Sequence, residues 1–254
     1  MSGQSEVKPD YGNWVPTKFI YGPALIGLVF LVASILFWPL LLLTILFFLI
    51  TLYFVYARYL FSPHGGNVQD RIWGMVLEHL EWNGEGRALD IGCGNAPLTI
   101  RLARKYPKAQ VTGIDYWGVQ WDYSKKTCER NAEVEGVKDR VAFQKASASK
   151  LPFEDGYFDA VVSNLTFHEV SDTKDKREVI REALRVLKNG GAFAFQDLFL
   201  IKQTYGDTDE LVKTIRSWRI TKVEFVKTRD APFVPRALKL PFMVGTMGII
   251  SGKK

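Results

Sequence analysis

The chain has 254 residues, 47 % hydrophobic and 24 % charged, with a net charge of +6 and a pI near 9.2. Its two cysteines, Cys93 and Cys128, show no paired spacing, which argues against a disulfide framework and a zinc site. The length accommodates one sizeable domain plus an extra element, with no internal repeat or low-complexity segment.

The first eighteen residues are polar and contain glycine and proline, which predicts a loose arm over 1–18. Between Lys18 and Arg58 no side chain is charged, and the run includes Leu40-Leu41-Leu42-Leu43-Thr44-Ile45-Leu46-Phe47-Phe48-Leu49-Ile50. A bilayer core takes about 20 apolar residues per helix, and this run is nearly twice as long. Trp38-Pro39 interrupts it near the middle, where proline breaks the backbone ladder. The economical reading is a helical hairpin within 19–61, with helix one over Pro23–Phe37 and helix two over Leu40–Leu60. Two full crossings and a monotopic hairpin that dips in and returns both fit. Either puts the N-terminus and the following domain on one side. A buried core hairpin of a soluble protein competes with both. Tyr53, Tyr56 and Tyr59, with Arg58, have the make-up of an interfacial belt. Lys8, Lys18, Arg58 and Arg71 flank the run, which favours a cytoplasmic face for the remainder of the chain.

Residues 62–67, Ser-Pro-His-Gly-Gly-Asn, read as a linker, and 68–254 as one α/β domain. Helices are expected at Val68–Leu80, Leu98–Lys105, Trp121–Glu135, Lys174–Leu187 and Thr208–Trp218. Strands are expected at Arg87–Ile91, Gln110–Ile114, Arg140–Gln144, Phe158–Ser163 and Gly191–Gln196, with a final pair at Val223–Lys227 and Met247–Ser251. Such alternation implies an open, mostly parallel, doubly wound seven-stranded sheet with helices on both faces. Ligands bind these sheets outside the carboxyl ends of the strands, where Asp90, Asp115, Asn164 and Asp197 fall.

The glycine turn after strand one narrows the ligand class. Leu89-Asp90-Ile91-Gly92-Cys93-Gly94-Asn95-Ala96 has a G-x-G spacing without the third glycine of a dinucleotide cradle. Asp90 would repel a pyrophosphate but suits a cationic ligand. Asp115, ending strand two, stands where an acid takes ribose hydroxyls in such folds. Two further stretches complete the pattern, Leu151-Pro152-Phe153-Glu154-Asp155-Gly156-Tyr157-Phe158-Asp159 before strand four and Leu184-Arg185-Val186-Leu187-Lys188-Asn189-Gly190-Gly191 before strand five. Together these four ordered motifs resemble the class I S-adenosylmethionine-dependent methyltransferases, in particular the ubiquinone/menaquinone methyltransferase-like branch, over residues 68–252.

That resemblance implies a Rossmann-like fold, S-adenosyl-L-methionine as cofactor and methyl transfer as the activity. It places Asp90 at the methionyl ammonium, Gly92, Cys93 and Gly94 in the loop against the cofactor, and Asp115 on the ribose diol. Tyr116 and Trp117 are candidates for packing on the adenine, with a wall or substrate contact as the alternative. Ala148 and Ser149 fall by family position near the adenine edge, and Asn164 near the cofactor's amino group. Two departures stand out: Ser147 replaces an acid common before Ala148, and Ala96 replaces a common third glycine. His168 follows strand four, where this family faces its substrate, and is read either as a proton acceptor or as a hydrogen-bonded structural histidine. Asp197 after strand five is read as a substrate contact or a turn acid. No histidine–carboxylate spacing suggests a metal.

The hairpin and the apolar, proline-broken segment Ala231–Val244, with Arg236 and Lys239, point to a lipophilic substrate met at a membrane surface, such as a quinone precursor or a lipid. A protein or nucleic-acid methyltransferase is the alternative, though no separate basic aromatic module is present and nucleic acid is not the expected partner. A non-catalytic, membrane-anchored cofactor-binding scaffold is the other. The sequence leaves the oligomeric state open.

Overall fold

A computed structural model describes residues 8–118 and 124–254. The described residues divide into two compact units, one of residues 12–72 with 232–238, the other of residues 8–11, 73–118, 124–231 and 239–254.

The first unit is built on helices α1 (Lys18–Ala33) and α2 (Leu41–Phe61), joined by a 3₁₀ turn at Trp38–Leu40. They run antiparallel, with Phe19 stacked on Phe54 at 5.4 Å and Phe30 on Phe47 at 5.7 Å. Gly27 lets the helices approach, since a Cβ there would lie 3.3 Å from the Phe48 ring. The hairpin was expected, but α1 begins five residues before Pro23 and stops at Ala33. The turn at Thr17, whose carbonyl takes the Ile20 and Tyr21 N–H groups, starts the helix ahead of the proline. The segment 232–238 belongs to this unit: the Tyr53 hydroxyl donates to the Ala237 carbonyl at 3.0 Å, and the Arg71 guanidinium lies 4.5 Å from the Phe233 ring. Tyr53 therefore ties a chain segment down.

Residues 12–15 are not a loose arm. The Trp14 N–H donates to Gln69 Oε1 at 2.9 Å, Gln69 Nε2 donates to the Gly12 carbonyl, and Arg58 donates to the Val15 carbonyl. Gln69 is buried, and a buried amide needs partners for its polar atoms. The expected linker at 62–67 folds back on itself, with the Gly65 and Asn67 N–H groups on the Ser62 carbonyl. The division between units falls inside α3 (Val68–Glu78) instead.

The second unit carries a seven-stranded sheet. In chain order its elements are β1 (Gly86–Ile91), α4 (Pro97–Lys105), β2 (Ala109–Asp115), α5 (Lys125–Val134), β3 (Val141–Lys145), β4 (Phe158–Asn164), α6 (Lys176–Arg185), β5 (Leu187–Asp197), α7 (Lys202–Tyr205), α8 (Thr208–Ser217), β6 (Lys222–Lys227) and β7 (Gly248–Lys253). The strand order is β3-β2-β1-β4-β5-β7-β6. The first five strands are parallel, and β7 inserts antiparallel between β5 and β6. β1 and β4 are adjacent at the centre, where the strand order reverses, and both are buried along most of their length.

Helix starts follow caps that hydrophobic periodicity cannot see. Ser124 accepts from the Thr127 N–H and starts α5 at Lys125, while the expected start at Trp121 lies outside the described residues. Asp175 caps α6 and Asp207 caps α8 in the same way. α6 also stops at Arg185, two residues short of its expected end.

Gln69→Ala removes the side chain that accepts from the half-buried Trp14 N–H and donates to the Gly12 carbonyl. It is expected to cost about 1–3 kcal/mol and to expose residues 12–15 to limited proteolysis, with a lowered Tm as the second readout.

Candidate functional site

The site is built at the carboxyl ends of β1, β2, β4 and β5. β1 leaves the sheet through Gly92 (φ +71°), Gly94 (φ +56°) and Ala96 (φ +67°). The Gly92 and Cys93 N–H groups donate to the Ile114 carbonyl at 2.8 and 2.9 Å, folding the loop over the end of β2. A Cβ on Gly92 would lie 1.9 Å from Thr166 Oγ1, and that hydroxyl donates to the Ile91 carbonyl at 3.1 Å. Gly92 is thus needed for its left-handed backbone and for close contact with the loop after β4.

Three carboxylates end three strands, in three environments. Asp90 is buried and accepts from the Thr99 hydroxyl at 2.6 Å. Burial pushes its pKa up to about 7, against the lowering effect of the Thr99 bond. Asp115 accepts from the Gly94 N–H at 2.9 Å through Oδ2 and from the Trp117 N–H at 2.7 Å through Oδ1. Each carboxylate oxygen has a second lone pair, so capacity for a diol remains.

Asp197 is fully buried. It accepts from the Phe167, His168 and Leu198 N–H groups and pairs through Oδ1 with His168 Nδ1 at 2.6 Å. Those donors leave it holding the 165–169 turn, which favours the turn-acid reading of Asp197 over the substrate contact. The other ring nitrogen of His168, Nε2, lies 3.3 Å from Glu169 Oε1. Burial opposes charging of the imidazole, but the bonds to Asp197 and Glu169 outweigh it, and its pKa rises to about 10. A histidine already charged at neutral pH has no lone pair for a proton. The geometry therefore favours the structural reading of His168 over the proton acceptor.

Other expected residues divide similarly. The Cys93 side chain is buried beneath the loop, where a Cβ on Gly113 would meet its sulfur at 3.1 Å, and its N–H is taken by Ile114. It packs, and offers no donor to a ligand. Burial and the neighbouring Cys128 push its thiol pKa up. The Trp117 indole donates to the Gly94 carbonyl at 3.0 Å, which makes it a brace of the loop. Tyr116 is exposed, with the Lys145 ammonium 4.9 Å from its ring. The Asn164 carbonyl lies 3.2 Å from the Thr166 hydroxyl, while its side-chain Oδ1 is buried with no hydrogen-bond partner among the described residues. The Ala146 N–H donates to the Asp115 carbonyl at 3.1 Å, which brings Ser147, Ala148 and Ser149, just after β3, beside the end of β2.

Four contributors escaped the sequence reading. Thr99 and Thr166 serve Asp90 and Gly92. Asn131, fully buried on α5, donates to the Asn95 carbonyl at 3.0 Å and to the Asp10 carbonyl at 2.8 Å. Asp172 accepts from Ser147 and Ser149. Only Asn131 left a trace, as a polar side chain amid the apolar positions of a helix.

Residues 89–195 match the family described as methyltransferase domain. The chain is similar to 27-O-demethylrifamycin SV methyltransferase of Amycolatopsis mediterranei, 34 % identical over 164 residues, covering 54 % of this chain and 56 % of that one. It is also similar to the ubiquinone/menaquinone biosynthesis C-methyltransferase UbiE of Desulfotalea psychrophila, 34 % identical over 124 residues, 48 % of this chain and 46 % of that one. The chain spans about half the length of these curated relatives. Among solved structures, geranyl diphosphate methyltransferase in complex with S-adenosylmethionine shares the fold, with a TM-score of 0.56, 18 % identity, and coverage of 78 % of this chain and 89 % of that one.

The residues at the strand ends fit S-adenosylmethionine, the ligand bound in that solved structure. A dry carboxylate at Asp90 suits a cation, the Asp115 oxygens suit a diol, and the orphaned Asn164 Oδ1 calls for a donor.

Two outcomes follow from the titrations. Between pH 4 and about 7 folded Asp90 holds a proton that the unfolded chain has released, so its burial lowers stability as pH rises through that window. A cationic ligand reverses the preference. S-adenosylhomocysteine affinity is expected to rise with pH up to about 7 and then level, with proton release in calorimetry, and Asp90→Asn should abolish the slope. For His168 the shift runs the other way. Its stabilising contribution is complete below the ordinary pKa of 6.5 and is lost as pH rises through about 10. Its ring proton resonance should titrate near the upper value, and Glu169→Gln should lower the midpoint.

Proposed function

We propose that this chain is a membrane-anchored methyltransferase, transferring a methyl group to a lipophilic or membrane-associated small molecule, a quinone precursor or a lipid, with its catalytic domain on the cytoplasmic side. When bound, S-adenosylmethionine supplies a methyl already activated on a sulfonium, so the protein has mainly to orient and desolvate the reactants. On this reading Asp90 binds the cation, Asp115 binds the diol, and the 165–169 turn, held by Asp197 and the charged His168, gives the acceptor side a rigid wall.

The observation that carries the substrate class is the apolar surface of the hairpin. Leu36 is 94 % exposed, Ile35 82 % and Trp38 73 %. Soluble monomers rarely leave a large contiguous apolar patch uncovered, and a bilayer supplies the cover. Trp38–Phe61, at 24 residues, is long and apolar enough to cross a membrane by length and composition. α1, at 16 residues, reaches roughly 24 Å, short of a hydrocarbon core of about 30 Å. A tilted or partly inserted hairpin fits both lengths. The packing of segment 232–238 on the hairpin through Tyr53 and Phe233 supports a role for that insert, with Arg236, at the headgroup level.

The test is transfer of labelled methyl from S-adenosylmethionine into an organic-solvent extract of native membranes, beside a soluble extract and an Asp90→Ala control. Label in the organic phase, lost in the control, is expected. Label confined to protein or nucleic acid would overturn the substrate class.

A further inference from the structure

Ser147 stands where related domains commonly carry an acid, and two hydroxyls are ambiguous partners, each able to donate or accept. The fold brings a carboxylate to them from another segment. Ser149 Oγ donates to Asp172 Oδ2 at 2.6 Å and Ser147 Oγ to the same oxygen at 2.9 Å. The two serine oxygens are themselves 2.9 Å apart, and the Ser149 N–H reaches Ser147 Oγ at 3.3 Å. Both hydroxyls converge on one oxygen, so neither engages Oδ1. The Ser149 bond, with help from Ser147, holds the pKa of the exposed Asp172 below the usual carboxylate value, so the group is charged.

Its place relative to the ligand follows from the sheet. β1 and its glycine loop lie beside β2, and β2 lies beside β3. Gly94 is bonded to Asp115, and the Asp115 carbonyl is bonded to Ala146, one residue before Ser147. A nucleoside with its ribose at Asp115 and its tail at the glycine loop must extend its base outward over the ends of β2 and β3. Tyr116 and Ser147–Ser149 stand there, and Asp172 with them.

We propose that Asp172, oriented by Ser147 and Ser149, is the acceptor for the exocyclic amino group of the cofactor's adenine, supplied by the turn before α6 in place of the acid that the end of β3 lacks. Asp172 is thereby a specificity residue. An acceptor-only carboxylate favours a 6-amino purine and repels a 6-oxo purine. The two serines are positioning residues that act through it. The proposal rests on the cofactor reading above.

The test is calorimetric binding to the full chain of S-adenosylhomocysteine and of S-inosylhomocysteine, which differs only in carrying the 6-oxo group. Asp172→Asn, close in size and checked for an unchanged Tm, is expected to weaken S-adenosylhomocysteine roughly tenfold, the low end for a hydrogen bond to a charged group. The same variant should leave S-inosylhomocysteine equal or better bound, because the amide can donate to the oxo group. Ser147→Asp placed in an Asp172→Ala background should restore the preference for the amino purine. Equal weakening of both ligands by Asp172→Asn, or no change in either, overturns the proposal. A wild-type chain that binds neither ligand overturns the cofactor reading itself and takes the proposal with it.

Discussion

The carboxylate of Asp115 holds two stretches of backbone at once. One oxygen takes the N–H of Gly94 in the loop after β1, the other the N–H of Trp117 beyond β2. The Trp117 indole then closes the circuit on the Gly94 carbonyl. The loop can follow this path only because Gly92 and Gly94 accept a left-handed backbone, at a position where Thr166 leaves no room for a Cβ on Gly92. The candidate site is therefore shaped by bonds within the protein itself, which lowers the ordering cost of binding a ligand there.

The strand-end acids show how environment divides one chemistry into separate tasks. Asp90 is dry, and its burial makes a charge there costly despite the bonds from Thr99. Asp115 is bonded on both oxygens and still has lone pairs to offer. Asp197 is surrounded by backbone donors and an imidazolium, and acts as an anchor. Residue type and place in the chain are alike for all three, yet only the neighbours folded around each decide whether it binds, orients or anchors.

The hairpin presents the reverse situation, with apolar side chains displayed and only a few of them buried. Tight contacts at Gly27 and between stacked phenylalanines give it internal order, and Gln69 and Arg58 fasten residues 12–15 at its base. An element so ordered and so uncovered is poorly suited to water, which is the physical ground for the proposed bilayer.

The sequence by itself determined the alternation of strands and helices, the glycine turn after β1, the acids at the strand ends and the uncharged hairpin. These rest on local rules: period-two and helical apolar spacing, glycine's left-handed backbone, and the length of an apolar run. Helix starts at Lys125 and Lys176 depended on single capping side chains, which periodicity does not record. Tertiary structure alone decided that His168 is charged, that Asp197 is enclosed, that Cys93 faces inward and that Asp172 reaches Ser147 and Ser149 from 25 and 23 residues away. Each of those is a contact between segments distant in the chain, and a carboxylate's or imidazole's protonation follows the partners and burial that only such contacts supply.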